Sequence, residues 1–225
     1  MIAAADGRVL RSADLVGAII GVRLHGAEQR IRIDEVRADP VDPTLLLHSI
    51  SLEQQDGRWQ PLCEVAPDGT RAAYPLAGHS TADGKLQPGS RGEIEIVCTS
   101  GAHGKCARSG YHPWQPGILP LFNACVRMMR ADYSGRGAPE TRDGTQIHVF
   151  DNLGIRNSAP NDLSTFEAGW DEYGAVCVRH PRIAEKMSLK QIEASSSRLA
   201  HRVGRTCTRE TASSLGARIF NSSRT

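Results

Sequence analysis

At 225 residues, with an aromatic share of 5% and a mean hydropathy of −0.35, the chain reads as a soluble protein with a modest core that needs neither metal nor cofactor to hold it. No run approaches the ~18 apolar residues of a transmembrane helix. The formal charge is only +2, yet residues 181–225 hold nine Lys+Arg against three Asp+Glu. Phe220 is the lone aromatic there, so the basic tail reads as a solvated helix face and argues against a nucleic-acid partner.

The start, Met1-Ile2-Ala3-Ala4-Ala5-Asp6, lacks the basic region and apolar stretch of a secretory signal, which suits a mature chain carrying an added methionine. The first hundred residues then read as β. Val22 and Leu24 alternate with polar neighbours before a His25-Gly26 turn, and Ile31 and Ile33 alternate with Arg32 and Asp34. Leu46, His48, Ile50 and Leu52 share one face, opposite Leu45 and Leu47, and Glu93 to Cys98 alternates again. Short segments bounded by Gly, Pro and Asp predict antiparallel meanders. Pro67 to Gly92 predicts long loops with one short strand near Tyr74.

The period changes in the middle. Ile118, Leu121, Phe122, Cys125, Val126 and Met129 fall on one apolar face and predict a helix near 118–130. Pro116 and Pro120 fit only near its start. The pattern stops near Asp132, where Gly135 and Gly137 suit a turn. Asp143-Gly144 is a hairpin signal before a strand from Thr145 to Phe150, and another strand is expected over Ala175 to Val178.

The last forty residues predict two helices. Ser188 and Gln191 form a capping box, followed by an apolar face of Leu189, Ile192, Leu199 and Val203 that ends at Gly204. Thr208 caps a second helix running through Ala212, Leu215 and Ile219. The expected fold is a single α+β domain over 1–225: an antiparallel β-rich part to about 100, a central amphipathic helix within a part covering about 100–180, and two C-terminal helices in a tail from about 181.

Cys63, Cys98, Cys106, Cys125, Cys177 and Cys207 include no Cys-x-x-Cys pair, which argues against zinc ribbons and thioredoxin-type redox motifs. An even number, widely spread, points to disulfides and an oxidising compartment. Cys98 and Cys106 are the nearest local pair, because Gly101 and Gly104 let the intervening chain turn back. The alternative is that some of them are ordinary buried thiols.

The run from Cys125 through Arg127, Arg130, Ala131, Asp132, Tyr133 and Ser134 to Gly135 resembles the signature of the bacterial ADYC domain family. Gly104-Lys105-Cys106, Gly110-Tyr111-His112-Pro113-Trp114, Thr141-Arg142-Asp143-Gly144-Thr145, Phe166-Glu167-Ala168-Gly169-Trp170 and Gly174-Ala175-Val176-Cys177-Val178 agree with it. The resemblance implies a bacterial, exported, cysteine-rich protein of the envelope, periplasmic or secreted, and supplies no reaction. Ser134 stands where the resemblance implies a cysteine. If that cysteine forms a disulfide, its partner is free in this chain. If it is a reactive thiol, Ser134 is a weaker nucleophile in its place.

Two catalytic arrangements deserve testing against the structure. In the first, Ser134 is a nucleophile activated by Asp132 or His148; the competing reading is a turn serine bonded to its own backbone. In the second, Asn123-Ala124-Cys125-Val126-Arg127 faintly resembles the cysteine motif of L,D-transpeptidases. Cys125 would then attack an acyl donor, His112 would take its proton and Arg127 would hold charge. Cys125 also lies on the apolar helix face, which suits a disulfide or buried thiol instead.

Asp132, Asp143, Asp151 and Glu167 offer oxygen ligands, but their spacing does not match an EF-hand, and turn and cap roles fit better. Trp114, with Pro113 and Tyr111, and Trp170 are either a ligand-facing aromatic patch or core anchors. Asn221-Ser222-Ser223 fits a glycosylation sequon. The leading expectation is an extracytoplasmic module that binds or scaffolds an envelope component or peptide-like ligand. The alternative is a thiol-dependent acyl-transfer or hydrolytic enzyme acting on peptide or cell-wall substrates.

Overall fold

The computed structural model describes residues 2–3, 9–24, 26–90, 93–157 and 165–224. The elements in chain order begin with β1 (Ile2–Ala3), β2 (Val9–Leu10), β3 (Ile19–Leu24), β4 (Ala27–Ala38), β5 (Leu46–Glu53), β6 (Trp59–Pro61) and β7 (Ala73–Ala77). There follow β8 (His79–Ser80), β9 (Leu86–Gln87), β10 (Ile94–Cys98), α1 (Ala102–Arg108) and α2 (Leu119–Arg130). The chain then forms β11 (Ile147–Asp151), β12 (Thr165–Asp171), β13 (Gly174–Val178), α3 (Leu189–Ser195), α4 (Arg209–Ser214) and β14 (Ile219–Ser223). The class is α+β, its strands paired antiparallel, with a β-rich N-terminal part, a central helix and two helices near the C-terminus.

Two compact units divide the chain, one of residues 1–76 and 96–104, the other of residues 77–95 and 105–225. The first is organised by the sheet β10-β7-β5-β4-β3, with β6 also pairing with β5. Alternation works as expected on β4, where Ile31 and Ile33 are buried and Arg30 and Arg32 lie closer to the surface. Ile31, Ile50, Cys63 and Ala73 form the core, and the Cys63–Cys98 disulfide crosses it. His25, expected in the β3–β4 turn, lies outside the described residues.

The second unit is built on the sheet β11-β14-β12-β13. One of its two inner strands, β14, comes after every other element described. β14 pairs with β11 (Phe150 opposite Phe220) and with β12 (Gly169 opposite Phe220), and all five of its residues are buried. Phe150 stacks on Phe220 at 5.6 Å among Val176, Cys177, Cys207 and Ala212. The α4 helix lies close against β12, where a Cβ on Gly169 would stand 2.5 Å from that of Ala212. The Cys177–Cys207 disulfide ties β13 to the tail, and Cys106–Cys125 ties α1 to α2.

Several expectations need correction. Cys98 does not pair with Cys106, because the segment between them is no open loop. It coils into α1, and Cys106, fully buried, faces α2. The stretch after Pro67 holds β7, β8 and β9 where one strand was expected. The Asp143-Gly144 turn does not join a hairpin, since β11 pairs with β14 instead. In the tail, the capping box forms as read, with Gln191 N donating to Ser188 Oγ at 3.3 Å, but α3 stops at Ser195. Thr208 caps α4, which ends at Ser214, and Ile219 opens β14. Asn221, read as a sequon, is fully buried in that strand.

Candidate functional site

The α2 helix ends in a left-handed cap, and the residues that make it are those of the signature. Ala131 adopts φ 51°, ψ 37°. Its N–H donates to the Met128 carbonyl at 3.0 Å, and the Asp132 N–H donates to the Arg127 carbonyl at 2.9 Å. This is a Schellman cap, with alanine where glycine is usual. The turn is largely buried rather than lying at the surface: Ala131, Asp132 and Tyr133 are enclosed, and Ser134 is half-buried.

Asp132 is the clasp of this turn. Its Oδ2 accepts from Arg127 Nη1 and from the Gly137 amide, both at 2.7 Å. Its Oδ1 accepts from the Arg136 amide at 3.1 Å and from Ser134 Oγ at 3.4 Å. A carboxylate has about four lone-pair positions, so little accepting capacity is left to serve a base. Arg127 is 1% exposed and spends its fork on Asp132, on the carbonyl of Glu172 at 3.3 Å, and on the carbonyl and carboxylate of Asp83. Burial raises the Asp83 carboxyl, but hydrogen bonds from Thr81 and Arg127 outweigh it and hold it below the usual range.

Gly135 completes the turn at φ +72°, where a Cβ would fall 1.8 Å from the Tyr173 carbonyl oxygen. No other residue fits that approach without the backbone moving.

Tyr133 points the other way, into a second buried network. Its hydroxyl donates to Glu167 Oε1 at 3.2 Å and accepts from the Arg182 amide at 2.7 Å. Arg182 binds both oxygens of Glu167, and Asn221 Nδ2 donates to Glu167 Oε2 at 2.7 Å while its Oδ1 accepts from Trp170 Nε1 at 2.8 Å. Burial, then the Glu167 charge, push the Tyr133 phenol well above its ordinary range, so it stays protonated.

The structure therefore gathers Arg127, Asp132 and Ser134, and leaves the other candidates apart from them. Ser134 Oγ meets Asp132 and accepts from the Arg136 amide at 3.3 Å, the bonding of a turn serine. His148 lies in β11 opposite Ser222. Neither His148 nor His112 is among the partners of Ser134 or Asp132. Cys125 has no thiol, being bonded to Cys106 and fully buried. His112 stacks on Trp114 at 4.8 Å between ring centres. All six cysteines are paired, so the reading in which Ser134 leaves a disulfide partner free is overturned. Asp143 sits in an exposed turn, and Asp151 accepts from Tyr111 at 2.9 Å and from the amides of Leu153, Ile155 and Arg156.

One region open to solvent has the shape of a binding site. A cleft of about 490 Å³ is lined by Leu86, Pro88, Ile94, Trp114 and Leu119, with Glu93 the charged one among the described lining residues. Trp114 is 53% exposed and Ile94 is 51% exposed. Of the residues read as either an aromatic patch or core anchors, Tyr111 and Trp170 are fully buried core anchors, and Trp114 is exposed. Glu167, Arg182 and Asp83 went unread as partners of the signature because Glu167 and Arg182 lie 34 and 49 positions from Tyr133 and Asp83 lies 44 from Arg127, and Asn221 joins only through Glu167.

The family model for the ADYC domain matches residues 12–184. The chain belongs to the ADYC domain family. No curated protein and no solved structure matches it. In this ADYC domain Ala131 reverses the chain, Asp132 closes the turn and Tyr133 anchors it to β12. Its three disulfides fit an extracytoplasmic protein, and among the described residues no helix is long and apolar enough to cross a membrane.

Proposed function

We propose that this ADYC domain is a disulfide-stabilised module of the bacterial envelope, periplasmic or secreted, that acts by binding or scaffolding a peptide-like envelope component. One observation carries this reading: the groups nominated for chemistry at the signature are committed to holding the fold. Asp132 already accepts from four donors, and the Cys125 sulfur is locked to Cys106. A nucleophile needs a base within hydrogen-bond reach, and the imidazoles of His112 and His148 stand elsewhere. The exposed Trp114 cleft supports binding, since pockets of roughly 300–1,000 Å³ with apolar walls and few polar groups are the usual form of ligand sites.

The test is incubation with cell-wall stem peptides and their amide or ester analogues, read by mass spectrometry and by equilibrium binding on the same samples. Saturable binding with the ligand recovered intact supports the module. Steady conversion that is lost in Ser134→Ala would promote the enzyme.

A further inference from the structure

We infer that the Trp114 cleft is a site for the basic side chain of an extended peptide, a lysine or arginine carried between apolar neighbours. This rests on the binding reading above and gives it a ligand class. Glu93 is the charged residue among the described residues that line the cleft. Its Oε2 accepts from the Ser90 amide at 3.1 Å and faces His79 Nδ1 at 3.3 Å. Its Oε1 has no hydrogen-bond partner among the described residues, and the side chain is 41% exposed. An acceptor is thus held in place with one oxygen open to a donor.

Apart from Ser90, the remaining described lining residues are apolar side chains and glycine, and Trp114 is the one aromatic among them. The His112 ring lies nearly parallel to the indole, 8° between planes, which fixes the indole while much of it stays exposed. Tryptophan is among the residues enriched at binding hot spots, and a ring already held in place loses less freedom on binding. Tryptophan is also the best aromatic partner for a cation. A lysine or arginine suits both features: its aliphatic stem covers apolar surface while its charged head seeks a carboxylate or a ring face. Pro88 and Pro113 add rigid walls with no amide N–H to satisfy. An acidic ligand would meet Glu93 with like charge. A purely apolar one would desolvate that carboxylate without replacing its water.

The probe is N-acetyl-leucyl-lysyl-leucinamide, compared with peptides carrying norleucine or glutamate in place of lysine, titrated by calorimetry or NMR shift. The lysine peptide should bind at least ~10-fold more tightly than the norleucine peptide, a difference of about 1.4 kcal/mol. Glu93→Gln should erase that preference, and Trp114→Ala should weaken both peptides. Both residues lie at the surface, so thermal melts should match the parent protein. Failure to bind, equal affinity for lysine and norleucine, or a preference untouched by Glu93→Gln would overturn the inference alone. Chemical conversion of the peptide would instead overturn the binding reading on which it rests.

Discussion

Arg182 closes on Glu167 through two hydrogen bonds, Nε to Oε2 at 3.1 Å and Nη2 to Oε1 at 3.0 Å, with the two side chains 1% and 0% exposed. The pair is reached from three directions, by Tyr133 from the signature turn, by Asn221 from β14, and by the Met129 carbonyl, which accepts from Arg182 Nη1 at 3.1 Å. The four accepting positions of Glu167 are thereby filled and each guanidinium nitrogen of Arg182 has an acceptor, the kind of pairing that makes a buried ion pair tolerable. Breaking one partner leaves the other charge buried and uncompensated. Arg182→Met should therefore cost about 3–5 kcal/mol, and Tyr133→Phe about 1–3 kcal/mol through the orphaned Arg182 amide. Urea unfolding of the two variants and of their combination checks this, and the double variant should lose less than the sum.

The family match ends at residue 184, but the second unit does not. β14 fills the middle of its sheet, and Cys207 supplies the partner of Cys177. A chain stopped after residue 184 should lose the circular dichroism of that sheet and expose Cys177 to alkylation. A native-like spectrum from the truncated chain would refute this role for the tail.

His48 gives a pH dependence. It is 4% exposed on β5, and its Nδ1 has no hydrogen-bond partner. Desolvation lowers its pKa, outweighing hydrogen bonds with the Leu46 and Ala73 backbone that raise it. The unfolded chain takes up the proton near pH 6.5, whereas the folded chain resists until its lower pKa is passed. The unfolded state then binds more protons, so this contribution to stability is complete above about 6.5 and falls as pH drops toward the folded value. His48→Leu should flatten that part of the stability profile, measured by denaturant midpoints across the range.

Exposure orders the disulfides. Cys106, Cys125, Cys177 and Cys207 are at most 1% exposed, whereas Cys63 is 6% exposed and Cys98 is half-buried. Graded reductant under native conditions should open Cys63–Cys98 first, as peptide mapping of alkylated samples would show. Loss of any one bridge should cost about 2–5 kcal/mol.

What could be read from the chain alone follows from local physics. The β3–β4 alternation, the apolar face of α2 and the Ser188 and Thr208 caps depend on neighbours a few residues apart. Ile219 to Ser223 is buried on both faces, so it carries no period-2 signal, and Ile219 continued the spacing of the preceding helix instead. α1 is short, begins beside glycines and gave no apolar stripe. At the signature, the turn after Asp132 was legible, because Gly135 and Gly137 follow closely. The burial of that turn was not, since it depends on Asp83, Glu167 and Arg182.

Under the proposed binding role the signature turn holds the fold and does no chemistry, and Ser134→Cys tests that most directly. With every native cysteine paired, the new thiol has no partner. The present hydroxyl donates to the Asp132 carboxylate at 3.4 Å, and a neighbouring negative charge disfavours a thiolate. Timed iodoacetamide labelling near neutral pH, with a disulfide map of the same sample, should show three native bridges and one thiol no faster than an unstructured cysteine peptide. A thiol that labels many-fold faster and forms an acyl adduct with a peptide ester would contradict the claim.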